Sequence, residues 1–346
     1  MSRNPKKALT ALVATVAAGL AVTFAVSGNA SAAAVRTAAD HPGAVKAAPN
    51  ALPKHLLTGY WQNFDNGAKP LKLADVPSQY NIIAVAFADA TSTPGAVSFT
   101  LDSGLSSALG GYTDDQFRAD IKAVQARGQQ VIISVGGQNG TINVSDSASA
   151  DNFANSIKSL ISTYGFDGVD IDLENGVNAT YMAQALRSIH DGGGQVITMA
   201  PQTIDMQSTQ GAYFQLALNI KDILTIVNMQ YYNSGTMLGC DGQVYGQSTV
   251  NFLTALACIQ LQGGLRDDQV ALGLPASGSA AGGGYQSPSN VVSALNCLAK
   301  GSGCDSYKPP ATYPAIRGAM TWSINWDAAA GYAFANTVGA GLANLP

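Results

Sequence analysis

Eight short runs of apolar residues recur along this chain at intervals of roughly 25 to 50 residues, and they constrain the fold more than any other feature. They are HLLTGYW from His55, NIIAVAFA from Asn81, QVIISVGG from Gln130, FDGVDIDLE from Phe166, QVITMAPQ from Gln195, LTIVNMQYY from Leu224, QVALGLP from Gln269 and IRGAMTWS from Ile316. Each is nearly continuously apolar, as strands of a parallel sheet covered on both faces must be. Helical patterns lie between most of them. Thr113-Asp114-Asp115-Gln116 is a capping box, followed by the stripe Phe117, Ile121, Val124 and a stop at Gly128. Phe153, Ile157, Leu160, Ile161 and Tyr164 form a second stripe, with further helices expected over 181–190, 249–262, 288–298 and 327–342. The first crossover, 62–80, holds Pro70 and Pro77 and has room for little helix. Eight strands alternating with helices predict an α/β fold, a (β/α)8 TIM barrel forming one domain. A doubly wound open sheet is the alternative, but no G-x-G-x-x-G follows the first strand. The stretch 276–315 has room for one helix and a loop, and not for a second domain.

The fourth run has an unusual second face. Val169, Ile171 and Leu173 share one side, while Asp170, Asp172 and Glu174 share the other, with Asp167 just ahead. On a barrel strand the aliphatic side meets the helices. The acids then point inward and rise toward the carboxyl end, where such barrels keep their active sites. Same-face positions lie about 6.5 to 7 Å apart, which puts Glu174 at the mouth, Asp172 below it and Asp170 deeper. Three buried carboxyls in a column repel one another and lose hydration, so their pKa values rise and protons are shared. A carboxyl kept protonated near neutral pH is a general acid. A solvated edge strand or a calcium cluster would also carry acids. However, an edge strand seldom carries Val-Ile-Leu behind its acids, and an oxygen-rich calcium loop needs a turn. Acids from one face of one strand approach a scissile bond from one side. That suits one proton donor plus helpers, with the nucleophile supplied from elsewhere, including from the substrate.

The flanking sequence bears on location. Arg3, Lys6 and Lys7, the apolar run 8–26 and the small-x-small pattern Ala30-Ser31-Ala32 predict a secretory signal peptide over 1–32, Ala-rich in a bacterial manner, with a single membrane anchor as the alternative. Residues 33–53 are Ala- and Pro-rich without an apolar period and read as a disordered leader, leaving 54–346 as the catalytic domain. Loss of Arg3, Lys6 and Lys7 takes the formal charge from −4 to −7. Such an acidic, sparsely charged, extracellular chain is not expected to bind nucleic acid or anionic membrane. Cys240, Cys258, Cys297 and Cys304 favour two disulfides in that compartment. Proximity suggests Cys240–Cys258 and Cys297–Cys304, with the other two pairings open. A zinc site competes, but no CxxC occurs, and His41, His55 and His190 are scattered, so no metal or other cofactor is expected.

Asp167–Glu174, DGVDIDLE, resembles the D-G-x-D-x-D-x-E signature of glycoside hydrolase family 18, the chitinases. Ser134–Gly137 is similar to that family's S-x-G-G segment on the third strand. Met199–Gln202, Gln230–Asn233 and Met320–Asp327 are similar to its fifth, sixth and eighth strand ends. The resemblance runs from Leu56 to the C-terminus and implies a retaining endochitinase that works by substrate assistance, an exception to the two-carboxylate scheme. By motif position it implies Glu174 as acid and base, Asp172 as partner of the acetamido N–H, Asp170 sharing a proton with Asp172, and Tyr232 on the acetamido oxygen. Trp322 is implied as the floor under the distorted sugar. Gln230, Asn233 and Met199 are implied sugar contacts, and Tyr60 and Ser134 are expected against Asp170 on the substrate-binding side. Trp61, Trp326 and Tyr285 are candidate platforms, with packing as the other reading. The implied substrate is chitin or its oligosaccharides, cleaved by a monomer in a shallow cleft that lacks an insertion domain and a separate binding module. A noncatalytic lectin, an enzyme inhibitor on the same barrel and an endo-β-N-acetylglucosaminidase acting on N-glycans remain as alternatives.

Overall fold

The computed structural model describes residues 51–346. The predicted signal peptide and the leader as far as residue 50, including His41, lie outside the described residues. Eight parallel strands form from the eight apolar runs: β1 Leu56–Gln62, β2 Ile82–Ala90, β3 Gln130–Gly136, β4 Gly168–Asp172, β5 Val196–Met199, β6 Ile226–Gln230, β7 Val270–Pro275 and β8 Gly318–Trp322. They pair in chain order, and β1 pairs with both β2 and β8, which closes the sheet into a barrel. The closing seam is tight. Gly318 has φ +139° and faces Leu56, where a Cβ would lie 2.0 Å from the Leu56 carbonyl oxygen. The predicted (β/α)8 barrel is therefore the observed fold.

Period-two alternation separates two apolar regions. Leu56, Ile82, Ile132, Val196, Ile226 and Met320 meet inside the barrel, whereas Val169, Ile171 and Leu173 belong to the larger cluster between strands and helices. Fully burying each large aliphatic side chain of this kind stabilises the fold by about 1.5–3 kcal/mol. The helices dock by their apolar stripes. Asp114–Ala126 buries Phe117, Ile121 and Val124, and its capping box pairs Thr113 N–H with Gln116 Oε1 at 2.9 Å and Gln116 N–H with Thr113 Oγ1 at 3.2 Å. Ser147–Tyr164, Ala179–Asp191, Val250–Gln262 and Pro288–Lys300 complete the predicted set up to β8. The first crossover has only the single turn Leu73–Asp75, as Pro70 and Pro77 require.

Several elements differ from expectation, among them a strand, Val97–Ser98, and a short helix, Ser103–Ala108, in the second crossover. The helix predicted over 327–342 is two helices, Ile324–Ala329 and Ala333–Ala343. Gly331 and Tyr332 adopt left-handed dihedrals between them, and the buried Asp327 carboxylate accepts the N–H groups of Phe334 and Ala335 at 2.8 and 3.0 Å. The left-handed pair breaks the helix, and the Asp327 carboxylate satisfies free N–H groups in the first turn of the next one. Between β5 and β6 lie a turn, Thr203–Met206, and a helix, Ala212–Asn219, whose sequence AYFQLALN is too uniformly apolar to show a stripe. After β6 a hairpin pairs Thr236–Leu238 with Val244–Gly246. Its tip holds Cys240, bonded to Cys258 on the following helix, and Cys297 bonds Cys304, so both proximity pairings form. No helix among the described residues is long and apolar enough to cross a membrane.

Candidate active site

The acid row follows the alternation of β4. Asp170 is 0 % exposed, Asp172 is 5 % exposed, and Glu174, two residues past the strand end, is exposed at the mouth. Asp170 accepts Tyr60 Oη and Ser134 Oγ, each at 2.7 Å, on one oxygen and Thr198 Oγ1 at 2.5 Å on the other. Burial still pushes its carboxyl above the usual range, although the three donors pull it back. Asp172 is raised further, by burial first, then by the charges of Asp170 and Glu174. Its Oδ1 accepts Gln230 Nε2 at 2.7 Å, and the same nitrogen donates to the Ala200 carbonyl at 2.9 Å. Asp170 thus has donors on both oxygens, and Asp172 is turned to Gln230. Glu174 is raised by partial desolvation and then by the charge of Asp205. Asp167 stands apart from the row and ties β4 to β3, accepting Val131 N–H and Gln125 Nε2, each at 2.8 Å.

The S-x-G-G segment lets β3 approach this strand. Gly136 has φ +123°, and a Cβ there would lie 2.1 Å from the Asp172 carbonyl oxygen, to which Gly137 N–H donates at 2.7 Å. No side chain fits, and the dihedral itself disfavours an L residue. Gly136→Ala is expected to destabilise the fold by about 3 kcal/mol, a Tm drop of roughly 6–10 °C, because the barrel must separate beside Asp172. Thermal denaturation checks this, and an unchanged Tm would contradict the close approach.

A cleft of about 1160 Å³ opens over the row. Asp172, Glu174, Gln202, Gln230, Tyr232, Asn233 and Trp322 line it, with Phe64, Phe87, the loop 136–142 and Ser279–Gly282 along the walls. Asp89 and Asp102 also line it, and no lysine, arginine or histidine among the described residues does so. Trp322 stacks on Phe87 at 5.8 Å and 17° and meets Tyr60 and Phe64 at 5.5 and 6.3 Å, which fixes its indole plane. The Tyr232 phenol is pushed well above its ordinary value by burial and by the nearby acids, so it remains a donor. Tyr213 pins the backbone between Asp172 and Glu174: its hydroxyl donates to Leu173 O at 3.1 Å and accepts Leu173 N–H at 2.7 Å.

The structure thus brings Glu174, Asp172, Tyr232, Gln230, Asn233 and Trp322 to one cleft. Tyr60 and Ser134 are buried and bond Asp170 beneath the cleft, the contact expected of them. Other candidates sit elsewhere. Met199 is fully buried in the outer apolar cluster, on the face of β5 opposite to Thr198. Trp61 is fully buried against Phe117 with its indole N–H on Leu71 O at 2.9 Å, so it packs and is no platform. Trp326 packs on the same outer cluster, and Tyr285 is exposed beside the cleft without lining it. Tyr231 points away from the cleft and bonds Gln260 Nε2 at 3.1 Å, which separates the two adjacent tyrosines. Sequence reasoning missed Thr198, Gln202 and Asp205. Val196, Thr198, Ala200 and Gln202 alternate inward along β5 and its extension, so period two could have found the first two and rejected Met199. Asp205 lies in a turn, where no period operates.

The chain matches the family profile described as Glycosyl hydrolases family 18 over residues 57–339. It is 39 % identical over 323 residues to Chitinase D of Niallia circulans, covering 81 % of this chain and 60 % of that protein. It is 35 % identical over 333 residues to Exochitinase 1 of Streptomyces olivaceoviridis, covering 83 % and 55 %. It therefore spans less than two thirds of the length of these curated relatives. A crystal structure of a Streptomyces coelicolor protein provisionally named Chitinase A superimposes with a TM-score of 0.82 at 68 % identity, covering 84 % of this chain and 99 % of that one. With the acid row, the S-x-G-G approach and the aromatic floor all in place on the barrel, the chain belongs to glycosyl hydrolases family 18.

Proposed function

We propose that this protein is a secreted, retaining endochitinase that hydrolyses β-1,4 bonds between N-acetylglucosamine units by substrate-assisted catalysis. The observation that carries the reading is the graded row on β4, from a triply hydrogen-bonded Asp170 to an exposed Glu174 beneath an open cleft, with Tyr232 and Trp322 beside it. Glu174 gives its proton to the glycosidic oxygen as the C1–O bond breaks. The acetamido carbonyl oxygen of the sugar on the nonreducing side bonds to C1, forming an oxazolinium ion. Asp172 holds the acetamido N–H and balances the positive charge, and Tyr232 Oη donates to the acetamido oxygen and orients it. Water then attacks C1 from the face the leaving group vacated and gives a proton to the Glu174 carboxylate, while the C1–O bond of the oxazolinium breaks, restoring the neutral acetamido group and returning C1 to its original configuration. Trp322 supplies a flat apolar face under the sugar, and Gln230 and Asn233 are its polar contacts. Asp170 acts from below, as a buried charge fixed by Tyr60, Ser134 and Thr198.

An endo-acting, shallow cleft is supported by the β7–β8 crossover, where helix Pro288–Lys300 and loops stand and no further wall rises. Every group in the scheme comes from one chain, so a monomer suffices. Residues 1–32 are proposed as the signal peptide, 33–53 as a leader and 54–346 as the catalytic domain, and the two disulfides suit an extracellular site. The test is a product-length time course on chitohexaose beside a high-mannose glycoprotein. Internal cleavage of the oligosaccharide supports the proposal. Early disaccharide release from chain ends would contradict the endo mode, cleavage of the glycoprotein alone would make it an N-glycan hydrolase, and binding without cleavage would make it a lectin.

A further inference from the structure

The turn after β5 brings another carboxylate to the acid row from outside the cleft. Gln202 donates from Nε2 to Glu174 Oε2 at 3.3 Å, while its own backbone N–H donates to Asp205 Oδ2 at 3.0 Å. Asp205 is half-buried in the turn Thr203–Met206, which is anchored by the buried Thr203 and Met206 side chains. Thr203 Oγ1 also donates to Ser234 Oγ at 2.8 Å, and that hydroxyl donates to Tyr232 O at 2.8 Å, so the turn is tied to the end of β6 as well. Asp205 is not among the residues lining the cleft.

We propose that Asp205 is a positioning residue for the Glu174 proton: it anchors the backbone of Gln202, whose side-chain amide bonds Glu174, and supplies the negative charge that Glu174 meets on ionising. The inference rests on reading Glu174 as the proton donor. Burial raises both carboxyls, and the charge of Asp205 raises Glu174 further. The other ionisable groups facing the pair are Asp172 of β4, Tyr213 of the next helix and Tyr232 after β6. No cationic side chain among the described residues lines the cleft to offset them. The anion at 205 therefore keeps the acid form of Glu174 to higher pH.

Asp205→Asn retains an oxygen for the Gln202 N–H and removes the charge. On chitohexaose, the alkaline limb of the kcat profile should move to lower pH by about half a unit or more. KM on the acid side should change by less than about twofold, and Asp205→Glu should move the limb back. Glu174 is the chain's only glutamate, so selective ¹³C labelling reports its carboxyl as a single resonance, free of turnover. That resonance should titrate at lower pH in Asp205→Asn than in the wild type. Superimposable limbs and titrations, or a loss of kcat uniform across pH, would overturn the proposal. A wild type that leaves chitohexaose intact would defeat the activity instead, and the carboxyl titration would still decide the role of Asp205. If Asp205→Asn fails to fold, Asp205→Ser removes the same charge for the same comparison.

Discussion

Glu174→Gln is expected to lower kcat on chitohexaose by about 10³-fold or more while leaving the protein folded and able to bind the sugar. The substitution is isosteric, and position 174 is exposed at the mouth of the cleft. Its one side-chain partner, Gln202 at 3.3 Å, is held at the long end of hydrogen bonding. Little stability rests on the contact, so Tm should stay within about 2 °C. An amide cannot deliver the proton that the leaving oxygen needs or recover it from water, so both halves of the reaction lose their acid or base. General acid–base groups of this kind contribute about 10²–10⁴-fold. Steady-state kinetics and calorimetric titration of the variant with chitohexaose check the two parts. Activity within tenfold of the wild type would remove Glu174 from the mechanism.

Asp172→Asn should separate function from stability. The side chain is 5 % exposed, and burial, Asp170 and Glu174 all raise its carboxyl. A carboxyl whose folded-state pKa lies above the unfolded one binds its proton more tightly when folded. Its favourable contribution is complete below the unfolded value and is lost as pH rises through the folded value. Above that window the native fold holds a buried, crowded anion. Asn keeps an oxygen for Gln230 Nε2 and carries no charge, so the variant should be more stable than the wild type by about 1–3 kcal/mol near neutral pH. The difference should vanish toward about pH 3–4, where both side chains are neutral. Turnover should move the other way, falling by about 10²-fold or more, because the carboxylate that balances the oxazolinium is gone. Urea unfolding at several pH values and kcat measurements check both. A less stable variant at neutral pH would mean that Asp172 contributes to the fold and is not strained by it.

The barrel was legible because each strand is apolar on both faces. An exception to that rule, the acids of β4, marked the site at once. Period two placed Val169, Ile171 and Leu173 outward and the acids inward, and the same alternation separated Tyr231 from Tyr232. It was not applied to β5, and Met199 was misplaced while Thr198 and Gln202 were passed over. Trp61 stayed open between platform and packing because an indole on the helix side and one on the cleft side look alike until the strand's facing is fixed. The break at Gly331–Tyr332 and the partnership of Asp205 with Gln202 depend on side chains that cap or bond locally in turns, where no repeat reports them. The cleft walls 136–142 and 279–282 are loops, whose course depends on the strands that hold them and not on any pattern of their own.

Substrate assistance is tested most directly by the anomeric configuration of the first products. Proton NMR of chitohexaose during the first minutes of cleavage, before mutarotation levels the signals, resolves the new reducing ends. A row of acids on one strand with the nucleophile taken from the acetamido group predicts β-anomers. Predominant α-anomers would mean direct displacement by water, which needs a carboxylate base on the opposite face of the sugar, and would contradict the mechanism assigned to Asp172 and Glu174.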